Sequence, residues 1–371
     1  MKKILGLLIL LCLVIVKPVS ANFELAKNAK ASLLLEPTTN TILYENNKDE
    51  QLRIASMTKI MTLSIVYDEI KAGKISLEDK LITSAYAKGM EGSRVFLDTG
   101  EESLVKDLIK CVAIASANDA AVTLAEGISG TEAAFVLKMN EKAQELKMNN
   151  TLFSDVTGLA DDNHYSSAYD MALISSYLLN NHKEVLAYTS LKESYFRETS
   201  DDPFWLVNTN KLAGRYEGID GLKTGWTSKA GYCMSLTGVK NNMRLISIVL
   251  GVNNSLTRNK EALELLNYGF SNFENYLLLE QGKILEEYKT IFYKEDSLKI
   301  EVMKDIRYII KKGEKDKYTI NFAKANHLSK KGILEIKYDG KTIYEEELAF
   351  SQGIKRNIFS LFMKIFNQIF I

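Results

Sequence analysis

Two groups of strand-like residues, far apart in the chain, bracket a middle that reads as helix, and few folds accommodate that arrangement. Ser32–Glu36 and Thr41–Tyr44 flank Pro37-Thr38-Thr39-Asn40, a turn composition, and together predict a hairpin. Tyr232–Leu236 and Arg244–Leu250 read as buried strands. Between them lie apolar helical runs over Ser56–Ala72 (ended by Gly73), Leu104–Ala115, Asp119–Glu126, Glu132–Leu146 and Tyr169–Asn180, and Arg258–Phe273 follows the second strand group. Strands at both ends of a mostly helical stretch imply an α+β domain over residues 22–276, not a βαβ array.

Past Tyr276 the texture changes. Leu298, Ile300 and Val302 alternate with polar residues, as do Ile320 and Phe322, and Ile333–Tyr338 and Thr342–Leu348 flank an Asp339-Gly340 turn. Residues 277–350 therefore predict a small all-β, sandwich-like domain in which nothing looks chemical.

The two ends of the chain bear on location. Lys2 and Lys3 precede the apolar run Ile4–Val16, and Val19-Ser20-Ala21 offers small residues at cleavage-type positions, so residues 1–21 predict a secretory signal; an uncleaved anchor is the alternative. At the other end, residues 354–371 place Asn357, Ser360, Lys364, Asn367 and Gln368 on one helical stripe. Ile358, Phe359, Phe362, Ile365, Phe366, Ile369 and Phe370 cover most of the rest. With three basic residues and no acid, this suits an amphipathic helix lying in a membrane interface, on the outer face of the cytoplasmic membrane. A packed terminal helix is the alternative, and Lys364 in the middle argues against a spanning one.

Composition narrows the chemistry. Acids and bases balance at 47 each; three of the bases and none of the acids fall in the first 21 residues, leaving the rest at −3. That is no nucleic-acid surface. Three histidines and three cysteines, none at ligand spacing, predict no metal and no cofactor. Cys111 lies in an apolar run and Cys233 in a strand-like one, which favours two separately buried thiols over a disulfide.

Three short motifs remain. Ser56-Met57-Thr58-Lys59 opens the first long helix, and at i and i+3 its hydroxyl and amine share a face. Serine is a poor nucleophile until a base takes its proton, and lysine serves only when neutral. Bringing a lysine near pH 7 requires ~4 kcal/mol, for which burial and a second cation are the available causes. Ser103-Leu104-Val105-Lys106 has the same spacing but reads as a helix start. Ser116-Ala117-Asn118 lies in a turn between helices, where a hydroxyl can relay a proton and an amide can grip a peptide backbone; taken singly, it reads as an N-cap. The same triplet pattern at Ser20-Ala21-Asn22 falls in the cleavage region. Lys223-Thr224-Gly225 stands on a strand; a buried lysine there supplies the second cation, Thr224 helps hold an anion, and Gly225 lets a ligand lie close to the backbone.

Singly these motifs are common, but in this order and on these elements they form a specific set. The sequence resembles the low-molecular-mass penicillin-binding proteins, the serine-type D-alanyl-D-alanine carboxypeptidases, over residues 25–371. Further matching stretches are ASMTKIMT at 55–62, SANDAAV at 116–122, GIDGLKTGWTSKAGYC at 218–233 and MRLISIVLG at 243–251. The resemblance implies a β-lactamase/transpeptidase-like domain, a small β domain and a C-terminal amphipathic membrane helix. It implies an enzyme that removes the terminal D-alanine from peptidoglycan stem pentapeptides and is inhibited by β-lactams. By the same resemblance Ser56 is the nucleophile, Lys59 the base, and Ser116 with Lys223 the proton path to the leaving amine. Asn118 grips the substrate peptide and positions Lys59, Gly225 belongs to the substrate-binding strand, and Thr224 and Arg258 bind the terminal carboxylate. The amides of Ser56 and Trp226 form the oxyanion hole. Trp226 and Asp155 depart from the residues frequent at those places, which bears on specificity and deacylation.

A class A β-lactamase shares the acylation apparatus but needs a glutamate within E-x-x-L-N, absent between Ser116 and Lys223. The other readings are a DD-endopeptidase and a catalytically weak protein that binds β-lactams or cell wall.

Overall fold

The computed structural model describes residues 24–159, 163–289, 297–323 and 331–349, together with 361, 365 and 366. The expected signal at 1–21, with its Ser20-Ala21-Asn22 triplet, and nearly all of the 354–371 helix lie outside the described residues.

The first hairpin forms as its turn composition predicts, β1 at Ala31–Glu36 and β2 at Thr41–Asn46. A 3-10 turn at Ala55–Thr58 leads into α1, Lys59–Lys71. Then come β3 (Lys80–Ile82), α2 (Ala85–Lys88), β4 (Glu102–Leu104), α3 (Val105–Ile114), α4 (Asn118–Ser129) and α5 (Glu132–Glu145). They are followed by α6 (Ala168–Asn181), α7 (Leu186–Thr189) and the hairpin of β5 (Glu193–Phe196) with β6 (Phe204–Val207). Three long strands follow, β7 (Ile219–Thr227), β8 (Gly231–Lys240) and β9 (Met243–Val252), then α8 (Ser255–Asn272).

The first hairpin and the last three strands make one antiparallel sheet in the order β2-β1-β9-β8-β7, with Leu33 opposite Ile248. The sheet is covered on both faces, so its central strands are buried along most of their length instead of alternating between buried and exposed residues. In β9, Ile246, Ile248 and Leu250 join the core beneath α1, α3, α4 and α6, while Leu245, Val249 and Val252 join the core under α8. Helix α1 runs through the middle of the first core; every residue from Lys59 to Tyr67 is buried, so it has no polar face to orient it.

The β-rich region begins at Phe273, directly after α8, with β10 (Phe273–Leu279), β11 (Ile284–Lys289), β12 (Ser297–Glu301), β13 (Ile306–Lys311), β14 (Tyr318–Ala323), β15 (Lys331–Tyr338) and β16 (Lys341–Ala349). They pair as β10–β13, β11–β12 and β14–β15–β16 around Leu279, Val302, Ile306 and Leu334. Cys111 and Cys233 are separate buried thiols, as their apolar settings predict.

Candidate active site

The segment carrying Ser56 departs from the uninterrupted helix its sequence predicts. Ala55 takes a left-handed φ of +48°, and Ser56 sits in the 3-10 turn before α1 begins at Lys59. The turn keeps the i, i+3 relation, so Lys59 Nζ lies 2.9 Å from Ser56 Oγ. It also lies 2.6 Å from Asn118 Oδ1 and 2.9 Å from the carbonyl oxygen of Thr157. Ser56 is half-buried while Lys59 is fully enclosed.

Burial lowers the Lys59 ammonium from its ordinary 10.5 to about 7, with the carboxylates of Asp155 and Asp119 pulling the other way. Near neutrality a sizeable fraction of Lys59 therefore carries a lone pair within reach of a hydroxyl. From sequence, burial and a second cation are both available causes of this effect. Burial is the main cause, and the repulsion falls on Lys223, which is pushed well below the ammonium range by burial, then by Lys59 and by Arg258.

Asn118 opens α4, and its own side chain is held in place. Its Nδ2 donates to the carbonyl of Glu91 and its amide donates to that of Ser93 at 2.7 Å. The buried carboxylate of Asp119 accepts from the amides of Val95 and Leu97, so the 91–97 loop wraps the start of this helix. Ser116, two residues earlier, has φ +64°, and its buried Oγ has no hydrogen-bond partner among the described residues. Buried hydroxyls are ordinarily hydrogen-bonded, which makes this one an exception in the fold.

On β7 the side chains alternate, Lys223 and Gly225 on one face, Thr224 and Trp226 on the other. A Cβ on Gly225 would stand 2.5 Å from the carbonyl oxygen of Ile54 and 3.2 Å from the amide nitrogen of Ser56. The glycine therefore admits the chain's own Ile54–Met57 turn, and not a ligand as its sequence setting suggests. Lys223 Nζ donates to the Thr224 carbonyl at 3.1 Å, and Thr224 Oγ1 donates to Thr209 Oγ1 at 2.9 Å.

Trp226 is 56% exposed and packs on Tyr232, its cross-strand partner, at 5.7 Å between ring centroids. The guanidinium of Arg258 lies 5.9 Å over the Tyr232 ring and donates to Asn259 Oδ1. Burial lowers Arg258 to about 10, so it stays a cation at neutral pH. It stands in the first turn of α8, which begins three residues before the predicted start because Asn254 caps it, accepting from the Thr257 amide.

Some of the site has no side-chain signature. The Thr157 carbonyl reaches Lys59 because the Asp155 carboxylate accepts from the amides of Thr157 and Gly158 and folds that segment into a tight turn. Ser103, in the second motif of the same spacing, pairs with Leu81 on the short strand ahead of α3 and takes no part in the site. No group of three metal-ligating side chains occurs among the described residues.

Residues 17–254 match the family described as D-alanyl-D-alanine carboxypeptidase, and residues 273–356 match the C-terminal domain of penicillin-binding protein 5. The D-alanyl-D-alanine carboxypeptidase DacF of Bacillus subtilis is 40% identical over 352 residues, 92% of this chain and 90% of that one. DacA of Escherichia coli is 34% identical over 357 residues, 92% and 87% of the two chains. Among solved structures, penicillin-binding protein 5 from Haemophilus influenzae superposes with a TM-score of 0.77 at 33% identity, over 89% of this chain and 98% of that one. Penicillin-binding protein D2 from Listeria monocytogenes, in its ampicillin-bound form, superposes with a TM-score of 0.57 at 34% identity, over 67% and 99%.

Proposed function

The chain belongs to the D-alanyl-D-alanine carboxypeptidase family of serine-type hydrolases, and we propose that it removes the terminal D-alanine of peptidoglycan stem pentapeptides through an acyl-enzyme on Ser56. One observation carries this reading: an enclosed lysine amine, brought to about 7, lies 2.9 Å from a half-exposed serine hydroxyl.

Neutral Lys59 takes the proton as Ser56 Oγ attacks the carbonyl carbon between the two D-alanines. The carbonyl electron pair moves onto oxygen, toward the amides of Ser56 and Trp226. Each donor of such a pair is worth ~3 kcal/mol in the transition state. Collapse breaks the C–N bond, and the departing amine receives a proton from Lys59 by way of Ser116, with Lys223 alongside. Thr224 and Arg258 hold the terminal carboxylate, and Asn118 holds the peptide. Water then gives its proton to Lys59 and attacks the ester carbon, releasing the shortened peptide and restoring Ser56. A β-lactam enters the first half of the same sequence and leaves Ser56 acylated.

We assign residues 1–21 to export and residues 354–371 to attachment at the membrane surface; Ile365 and Phe366 are helical and exposed, in keeping with an apolar face turned outward. The defining experiment incubates the exported chain with a muramyl pentapeptide ending in D-Ala-D-Ala. Free D-alanine is expected from the wild type and none from Ser56→Ala, and equal release by both would remove Ser56 from the reaction.

A further inference from the structure

His164 lies in none of the three motifs, yet its buried imidazole meets the turn that carries Ser56. Its Nε2 is 2.7 Å from Thr58 Oγ1, and its Nδ1 accepts from the amide of Ser154 at 3.2 Å. The proton positions follow by elimination. The Ser154 amide is only a donor, so Nδ1 carries no hydrogen and Nε2 does. Thr58 has one hydroxyl hydrogen, and it goes to the carbonyl of Ala55 at 2.8 Å. Thr58 Oγ1 therefore accepts from Nε2, and the line runs His164 to Thr58 to Ala55, the left-handed residue just before Ser56.

The same region is pressed from the other side. A Cβ on Gly158 (φ +86°) would stand 1.9 Å from the Ala55 carbonyl oxygen and 2.7 Å from Thr58 Oγ1, so only glycine permits this approach. Thr157, its neighbour, gives the carbonyl that accepts from Lys59 Nζ. Holding the Ser154–Gly158 segment against the Ala55–Thr58 turn thus fixes Ser56 and closes Lys59 from water in one contact.

We propose that His164, as the neutral Nε2–H tautomer, is a positioning residue for acylation: by joining Ser154 to Thr58 it locks the enclosure that keeps the Lys59 amine beside Ser56. This inference rests on the acylation chemistry proposed for Ser56. Protonation would set an Nδ1–H against the Ser154 N–H. The surroundings disfavour the charge: burial first, then Arg53 and Lys59, with Asp155 opposing and the Phe153 ring edge-on at 5.7 Å.

The test measures the rate at which a fluorescent penicillin labels the full chain from pH 5 to 10. In His164→Asn the new Oδ1 replaces the Nδ1 acceptor but nothing reaches Thr58. His164→Gln keeps a donor for Thr58, and Thr58→Val removes the acceptor without changing shape. The wild-type rate is expected to rise with a midpoint near 7. In His164→Asn and in Thr58→Val, water reaching Lys59 relieves its burial, so the midpoint should move up by about one pH unit and labelling at pH 7 fall about fivefold. The double variant should be no worse than either single one, and His164→Gln should restore the wild-type midpoint. Should His164→Asn fail to fold, Thr58→Val carries the comparison. Labelling of the variants with an unmoved midpoint overturns the role of His164 while leaving the acylation reading intact. A wild type that labels at no pH overturns both.

Discussion

Lys59 Nζ stands closer to Asn118 Oδ1, at 2.6 Å, than to Ser56 Oγ, at 2.9 Å. The amide is therefore an uncharged acceptor at the point where a carboxylate would hold the lysine protonated. Asn118→Asp puts that carboxylate in place, and an opposite charge within 4 Å favours the ammonium. The midpoint of β-lactam labelling should rise from near 7 to 8 or above, with a rate at pH 7 lower by about fivefold or more. Asn118→Ala, which removes the acceptor without adding charge, should lower the rate and leave the midpoint no higher. A shared pH profile for the two variants would show that charge at this position does not control Lys59.

Gly225 offers a steric test at a second point around the same serine. In Gly225→Ala the methyl group meets the Ile54 carbonyl at 2.5 Å and the Ser56 amide at 3.2 Å, neither of which is a flexible side-chain end. The strand or the turn must shift by a fraction of an ångström. A misplacement of ~1 Å in a site of this type can lower rates about a hundredfold, which sets the upper limit for a shift of this size. We expect a loss in labelling of about tenfold or more with a cooperative thermal transition retained, because the sheet itself is not interrupted. An alanine variant as reactive as the wild type would mean that this approach does not set the geometry of Ser56.

The side-chain chemistry of this site was legible in the sequence, while the backbone that arranges it was not. Ser56 and Lys59 were readable because three-residue spacing puts two side chains on one face, and Asn118 because an amide after an apolar helix is either a cap or a clamp. The carbonyls of Thr157 and Glu91 carry no residue identity, so nothing in the spelling marks them. Gly225 was noticed, but its reason lay in a neighbour far off in the chain, the Ile54–Ser56 turn. His164 stood out only as one of three histidines. In the fold, the sheet strands announced themselves by apolar runs. The β5–β6 hairpin, with polar and aromatic residues mixed along it, went unread, and the Asn254 cap moved the start of α8 ahead of its first apolar residues.

On the amphipathic helix proposed for residues 354–371, phenylalanines at 359, 362, 366 and 370 would lie opposite a polar stripe centred on Lys364. Burying such a face in the headgroup boundary, with the cations toward anionic lipid, gives reversible attachment rather than a span. Removing residues 354–371 should move the protein from the membrane to the soluble fraction while D-alanine release from a soluble pentapeptide stays within about twofold, since no site residue lies in that segment. Membrane retention unchanged by the deletion would assign attachment to another part of the chain.

The depressed Lys59 also makes a stability claim whose sign is fixed. In the unfolded chain this amine titrates near its ordinary 10.5, and in the folded protein near 7. Below pH 7 both states hold the proton, and the folded state bears the full cost of an enclosed ammonium, at most ~5 kcal/mol. Between 7 and 10.5 the unfolded chain binds a proton that the folded one has lost, so wild-type stability gains as pH rises through that window. Lys59→Met removes the titration. It also leaves Asn118 Oδ1 and the Thr157 carbonyl without their donor, about 1–3 kcal/mol each, an offset that does not depend on pH. The stability difference between variant and wild type should therefore move in favour of the wild type from pH 7 to pH 10, by several kcal/mol at most, as read by urea unfolding at fixed ionic strength. Lys223 titrates in both proteins and largely cancels. A difference that stays flat across that range would mean that Lys59 titrates as an ordinary lysine, and the base proposed for Ser56 would be lost with it.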